Sequence, residues 1–86
     1  MEKALQVKIV SPEKVIYNGP AQCVQVPGEK GSFEVLYNHA PIISSLSEGT
    51  VKCMAKETVE IDIVGGFIDV NANNVSICVE PQISEE

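Results

Sequence analysis

The chain has 86 residues, of which 44% are hydrophobic and 21% charged, a composition typical of one small globular domain. Twelve acidic residues against six lysines give a formal net charge of −6, and arginine is absent, which excludes a protein that binds nucleic acid through its phosphates. The sequence has neither an apolar run of the ~20 residues that span a membrane nor a signal peptide at its start, so we expect a cytosolic protein.

Short apolar segments separated by turn residues predict a series of strands in the first half of the chain. Leu5, Val7 and Ile9 alternate with polar residues at the period of a half-buried strand. A short second strand over residues 15–17 is expected to stop at the Asn-Gly-Pro sequence of residues 18–20. Three further strands are predicted in this half, at residues 23–26, 33–36 and 42–46.

Two loops between these strands combine polar residues with glycine or proline. The first is Gly-Glu-Lys-Gly-Ser at residues 28–32, and the second is Tyr-Asn-His-Ala-Pro at residues 37–41. Such loops are restricted in conformation and can present side chains to a partner. The first loop lacks the longer glycine-lysine frame that surrounds phosphates, so we expect no bound nucleotide.

The second half of the chain continues the pattern of strands and turns. Residues 51–55 alternate in polarity, and Lys-Glu at 56–57 predicts a hairpin into residues 59–63. Gly65-Gly66 predicts a bend or bulge before the apolar residues 67–70. An asparagine-rich turn at residues 71–74 then leads into a last strand over residues 75–79.

These elements predict an all-β protein without helices. No window of eleven or more residues carries the apolar spacing of an amphipathic helix, and valine, isoleucine and threonine dominate the periodic segments. About eight to ten short strands would use nearly the whole chain, which favours a flattened antiparallel β-sandwich over residues 1–80. Residues 81–86 are expected to form a short, acidic, frayed tail.

The three cysteines show no spacing typical of disulfides or metal sites. Cys23, Cys53 and Cys78 are 30 and 25 residues apart, so we expect reduced thiols and no bound metal. Cys53 alternates with apolar neighbours and is predicted to lie in the core. Cys23 and Cys78 are out of phase with the most apolar residues of their strands.

The residues that could carry catalysis are few. His39 is the single histidine, and its position in a short loop favours a hydrogen-bonding or contact role over that of a general base. Lys56 lies in a hairpin that resembles the lysine-bearing turn of biotinyl or lipoyl carriers, although its flanking residues differ. We therefore expect no enzyme activity, and a stand-alone carrier or small-ligand-binding sandwich remains the alternative to a binding subunit.

A set of motifs, in this order, resembles a known family. The segments that carry the resemblance are residues 10–13, 24–33, 38–42, 47–51, 65–70 and 74–75. Over residues 5 to 80 the chain resembles the N-terminal domain of the epsilon subunit of F-type ATP synthase, called delta in mitochondria. The His-Ala-Pro element at residue 39 and the Gly-Gly-Phe element at residue 65 are the most specific parts.

The resemblance implies a non-catalytic rotor subunit without a cofactor. In the family this sandwich belongs to the central stalk, binds the gamma subunit and contacts the ring of c subunits at the cytoplasmic face of the bacterial inner membrane. It couples proton-driven rotation to ATP synthesis. Carried over by position, Ser11, His39 and Ser44 would face gamma, with Tyr37 and Ile42 as apolar anchors. The residues that would approach the c ring are Glu29, Lys30, Gly31 and Ser32.

The chain also departs from the family pattern. Asn38 stands where glycine is usual, which asparagine tolerates because it also adopts the left-handed backbone conformation. Glu34 replaces a small residue, and Ser32 replaces an acidic residue of the loop that approaches the ring. The family's two C-terminal helices, which inhibit ATP hydrolysis, are expected to be absent, because the sequence ends at Glu86.

Overall fold

The computed structural model describes residues 4–82, and within this range every regular element is a strand. This confirms the predicted all-β class. The strands are β1 (Leu5–Val10), β2 (Val15–Ala21), β3 (Cys23–Gly28), β4 (Gly31–Leu36), β5 (Ile42–Leu46), β6 (Gly49–Met54), β7 (Thr58–Asn71) and β8 (Asn74–Pro81).

The strands pair into one continuous system that folds into two layers. We call β2, β1, β8, the second half of β7 and β5, in this spatial order, the five-strand layer. The first half of β7, followed by β6, β3 and β4, makes the four-strand layer. The smallest dimension of the molecule is 18 Å, consistent with two sheets that pack face to face at a spacing of about 10 Å.

Strand β7 passes from one layer to the other because it bends at a bulge. Its 14 residues pair with β6 up to Ile63, and the register with β8 then shifts between Ile63 and Gly65, so that Val64 is an extra residue. Gly66 follows with φ of 151°. This bulge confirms the bend predicted from the two glycines.

One strand pair differs from the expected antiparallel arrangement. β1 and β8 are parallel neighbours, with Val7 beside Val75 and Ile9 beside Ile77, whereas the other pairs are antiparallel. The alternation of polar and apolar residues fixes which face a strand buries but not the direction of its neighbour. The first and last strands are joined by the whole chain, so no hairpin forces them to run in opposite directions.

Predicted element boundaries also differ from those of the structure. Strand β2 continues through Asn18, Gly19 and Pro20 to Ala21. It can include Pro20 because it is an edge strand, where the N–H that proline lacks costs the sheet no hydrogen bond. The loop at residues 28–32 is shorter than expected, since Gly28 and Gly31 both belong to strands.

The end of β8 lies inside the segment that was expected to be a frayed tail. The strand reaches Pro81, and the backbone N–H of Gln82 donates to the carbonyl oxygen of Asp62 at 2.9 Å. Residues 83–86 of that predicted tail lie outside the described residues.

The core lies between the two layers and is wholly apolar among the described residues, none of whose buried side chains is polar or charged. Cys53 is fully buried in it, as predicted, while Cys23 and Cys78 are half-buried. The buried residues are Leu5, Val7, Ile9, Ala21, Val24, Val26, Val35, Leu46, Val51, Cys53, Ile63, Ile68, Val70, Val75, Ile77 and Val79.

Candidate partner-binding surface

The outer face of the five-strand layer carries an exposed apolar patch. The strand register puts five side chains in one row across this face: Ser45, Phe67, Cys78, Val10 and Val15. The exposed fractions are 47% for Phe67 and 54% for Val15. Ile43 is 75% exposed and lies in the next row, whose other members are polar: Asp69, Ser76, Lys8 and Asn18. We call this surface the apolar face.

The outer face of the four-strand layer is mostly polar, apart from one row with Leu36, Cys23 and Met54. Its register places Gln25 beside Glu34 and Lys52, and Lys52 beside Glu60. The Lys52 Nζ and Glu60 Oε2 atoms are 3.8 Å apart. A solvent-facing sheet surface is normally polar, and the apolar face departs from this rule further, with Phe67, Val15 and Ile43 exposed, than the four-strand layer does with Leu36.

Ser11 lies at one end of the apolar face, in the turn between β1 and β2. Its backbone N–H donates to the carbonyl oxygen of Lys14 at 2.9 Å, and its hydroxyl accepts from the Lys14 N–H at 3.3 Å. Beside this turn lies an apolar groove of about 300 Å³ lined by Val10, Pro12 and Phe67, among others. Ser11 therefore fixes the rim of the groove.

The loop of residues 37–41 lies at the opposite end of the five-strand layer. Tyr37 is exposed, and His39 is half-buried with Nδ1 at 2.7 Å from the carbonyl oxygen of Ala40. Asn38 has φ of 66°, the left-handed conformation expected for a residue in place of glycine. Ser11 and this loop thus lie on either side of the apolar face, at opposite ends of its strands. Measured perpendicular to the strands, they are about three strand spacings, or ~14 Å, apart.

In β5, the predicted contact residues Ile42 and Ser44 lie on one side of the strand, and their neighbour Ile43 lies on the other. Ile42 pairs with Val70 and packs against the core, and Ser44 pairs with the buried Ile68. Ile43 points outward and is the most exposed large apolar side chain among the described residues. Sequence reasoning missed Ile43 because two adjacent isoleucines leave the phase of this strand undefined.

The predicted ring-contact residues form a second surface next to β5. Glu29 and Lys30 are the two turn residues between β3 and β4. The Glu29 N–H donates to the carbonyl oxygen of Ser45 at 3.2 Å, and the Ser47 N–H donates to that of Pro27 at 2.8 Å, so the hairpin is tied to the end of β5.

The two sets of predicted contact residues meet at this hairpin. Glu29, Lys30, Gly31 and Ser32 line an open hollow of about 560 Å³ together with Ile42 and Ser44. The structure therefore joins the predicted ring-contact loop to part of the predicted gamma-contact set, while Ser11 and His39 lie elsewhere on the surface.

The described residues offer little reactive chemistry. Burial, together with a hydrogen bond from the thiol to Glu34 and the charge of that carboxylate, raises the pKa of Cys23 to about 11. Burial also raises the pKa of Cys53. Both thiols are therefore protonated at neutral pH, the form that is not nucleophilic. Lys56 is exposed in the turn between β6 and β7.

Within residues 4–82, no three His, Cys, Asp or Glu side chains lie together as a metal site would require. No helix in this range is long and apolar enough to cross a membrane.

Residues 4–84 match the family model described as "ATP synthase, Delta/Epsilon chain, beta-sandwich domain". The chain belongs to this family. This confirms the resemblance inferred from the sequence motifs. It also agrees with the two-layered strand arrangement described above.

Curated members of the ATP synthase delta/epsilon family include two with 40% identity to this chain over 77 residues. One is the ATP synthase epsilon chain of Leptospira borgpetersenii, and the alignment covers 88% of this chain and 61% of that protein. The other is the ATP synthase epsilon chain of Caulobacter vibrioides, with coverage of 88% and 90%. The chain thus spans about three fifths of the Leptospira relative.

Two solved structures have the same fold. A chain of the Euglena gracilis mitochondrial ATP synthase assembly of OSCP, F1 and c-ring superposes with a TM-score of 0.83 at 19% identity, covering 92% of this chain and 52% of that chain. A chain of the Tetrahymena thermophila mitochondrial central stalk and c-ring assembly gives 0.79 at 20% identity, with coverage of 92% and 64%. At these identities the likeness concerns the fold.

Proposed function

We propose that this member of the delta/epsilon family is a non-catalytic subunit of the central stalk of a proton-translocating ATP synthase. It would join the gamma subunit to the c ring and transmit rotation between them through contacts alone, on the cytoplasmic side of a bacterial inner membrane. The observation that carries the proposal is the patch of exposed apolar side chains, Ile43, Phe67 and Val15, on the outer face of the five-strand layer in a domain of this family.

The apolar face is the proposed gamma-binding surface. Ile43 and Phe67 project from its strands β5 and β7 and would lose exposed apolar area on binding, which is the main source of affinity at such surfaces. Ser11 and the loop with Tyr37 and His39 would form its polar rim. Ile42 and Ser44, which line the hollow together with Ile43, would contribute from β5.

The tip of the β3–β4 hairpin is the proposed c-ring contact. Glu29 and Lys30 are exposed at this tip, and the hydrogen bonds to β5 hold the hairpin beside the apolar face. Gly31 and Ser32 complete this surface. A partner on each of the two adjoining surfaces would allow one small domain to hold gamma and the ring in a fixed relation.

Binding to the cognate gamma subunit tests the proposal. Ile43→Thr and Phe67→Thr each keep a residue that suits a strand but remove exposed apolar area, so each should weaken gamma binding about tenfold or more. Leu36→Thr is the matched control, because Leu36 is 53% exposed and lies in β4 of the four-strand layer. It should change the affinity by less than about twofold.

Isothermal titration calorimetry with purified gamma measures these affinities, and circular dichroism verifies that the variants fold. No association of the unaltered chain with gamma at micromolar concentration would refute the proposal. Equal losses from Ile43→Thr and Leu36→Thr would show that the apolar face is not the binding surface.

A further inference from the structure

Two asparagines that are 35 residues apart in the sequence are joined by hydrogen bonds at the protein surface. The backbone N–H of Asn38 donates to Oδ1 of Asn73 at 2.6 Å. The side-chain Nδ2 of Asn73 in turn donates to Oδ1 of Asn38 at 3.1 Å. We call this reciprocal pair the asparagine clasp.

Backbone geometry alone does not account for the choice of asparagine at these positions. Both residues have φ of 66°, in the left-handed region that glycine adopts most easily and asparagine tolerates. Glycine would fit either turn equally well. What asparagine adds is an amide group that both donates and accepts, and both amides are used in the clasp.

The two sides of the clasp differ in how firmly they are held. Asn73 lies in the two-residue turn between β7 and β8, and its carbonyl oxygen accepts the Gln6 N–H at 2.9 Å, which ties the turn to β1. Asn38 lies in the five-residue connection between β4 and β5. The β7–β8 turn with Asn73 is therefore fixed to the sheet, and the clasp attaches the loop of residues 37–41 to this turn.

The clasp connects the loop of residues 37–41 to another part of the fold, whereas the backbone hydrogen bond of His39 is local to this segment. The His39 N–H donates to the carbonyl oxygen of Leu36 at 3.0 Å, which shapes the loop itself. The Asn38 bond connects the loop to the β7–β8 turn and so sets its orientation relative to the five-strand layer. Tyr37 and His39 flank Asn38 directly, and their positions depend on this orientation.

We propose that Asn38 and Asn73 are positioning residues for partner binding. The clasp holds Tyr37 and His39 in the orientation that the partner requires before the partner arrives, so that binding does not have to order the loop. A surface that is ordered in advance binds more tightly because less conformational entropy is lost on association. This inference rests on the proposed binding of gamma.

The test compares two substitutions in the same turn. Asn73→Gly removes the side chain of the clasp but keeps a residue suited to φ of 66°. Ala72→Gly adds the same backbone freedom at a neighbouring residue, with φ of 52°, and leaves the clasp intact. A loss that appears in Asn73→Gly and not in Ala72→Gly is therefore due to the side chain of Asn73.

The first measurement is amide hydrogen exchange in the free protein. In Asn73→Gly, exchange at the Asn38 N–H should become about threefold to tenfold faster, as expected for the loss of one or two exposed hydrogen bonds. Ala72→Gly should leave exchange at Asn38 within about twofold of the unaltered chain. Unchanged exchange in Asn73→Gly would overturn the clasp, whatever the partner of this domain is.

The second measurement is affinity for purified gamma. Asn73→Gly should bind about threefold to tenfold more weakly than the unaltered chain, while Ala72→Gly binds normally. The double variant Asn38→Gly/Asn73→Gly should bind no more weakly than Asn73→Gly, because loss of the Asn73 side chain already removes both hydrogen bonds of the clasp. Asn73→Asp, which keeps the acceptor for the Asn38 N–H, should recover part of the loss.

The outcomes separate this inference from the proposed function. Faster exchange with unchanged gamma affinity would overturn the positioning role but leave gamma binding in place. Gamma binding by neither the unaltered chain nor any variant would overturn the proposed function and the positioning role together, and the exchange data would still decide whether the clasp holds the loop.

Discussion

Gly66 occupies a position in β7 that leaves no room for a Cβ atom. A Cβ built there would collide with the carbonyl oxygen of Cys78, and φ of 151° is a conformation that other residues rarely adopt. We expect Gly66→Ala to lower the free energy of unfolding by about 2–4 kcal/mol. Urea denaturation followed by circular dichroism measures this loss.

The adjacent glycine supplies the control. A Cβ at Gly65 has its nearest contact at 3.7 Å, to Oε1 of Glu80, an ordinary van der Waals distance. We expect Gly65→Ala to change the free energy of unfolding by less than about 1 kcal/mol. Similar losses in the two variants would contradict a specific requirement for glycine at residue 66.

The raised pKa of Cys23 predicts a loss of stability at alkaline pH. In the unfolded chain the thiol loses its proton near its ordinary pKa of 9.0, whereas in the folded chain it keeps it up to about 11. The unfolded state therefore binds fewer protons between these values, so the stability that is complete below pH 9 declines as the pH rises toward 11.

Denaturant midpoints across this pH interval check the effect. Cys23→Ala should show a shallower decline, and the part that remains includes Cys53, whose pKa is also raised. Parallel pH profiles for Cys23→Ala and the unaltered chain would contradict a contribution from this thiol.

At the scale of the elements, the β3–β4 hairpin should act through charge without affecting the fold. Glu29→Lys reverses a charge at the exposed tip that we propose to contact the c ring. It should alter the affinity of the gamma-bound domain for the ring by up to about fivefold, since exposed ion pairs contribute only about 0–1 kcal/mol. Its thermal midpoint should be nearly unchanged.

A charge-matched variant separates the hairpin from net charge. Glu57→Lys changes the total charge by the same amount, at an exposed residue in the turn between β6 and β7. Pull-down of detergent-solubilised c ring at two salt concentrations compares the two variants. An equal effect of both on ring binding would argue against a contact at the tip of the β3–β4 hairpin.

For the whole molecule, partner binding should add to a modest intrinsic stability. A chain of 86 residues buries a small core, and a ligand that binds only the folded state stabilises it by mass action. With gamma at a hundredfold excess over its dissociation constant, the gain is about 2.7 kcal/mol, which should raise the thermal midpoint by about 10 °C or more.

Thermal unfolding with increasing gamma measures this shift, and the signal should come from a label on this chain. Ile43→Thr should show a smaller rise at the same gamma concentration, because it binds more weakly. A midpoint that stays constant in excess gamma would contradict the expected coupling between folding and binding.

Features that depend on neighbouring residues could be predicted from the sequence. Period-two alternation located most strands and placed Cys53 in the core, and two adjacent glycines located the bulge in β7. The asparagine-rich turn before β8 was equally clear. Each of these depends on local conformational preference or on the alternation of side chains, which a single segment of sequence contains.

Contacts between distant segments could not be predicted in this way and are known from the fold. The parallel neighbours β1 and β8 are far apart in the sequence, and so are the two halves of the asparagine clasp, Asn38 and Asn73. The outward direction of Ile43 follows from the register of β5 against β7, because adjacent isoleucines fit either phase. Such pairings depend on the whole set of strands sharing one core, so no local pattern of residues specifies them.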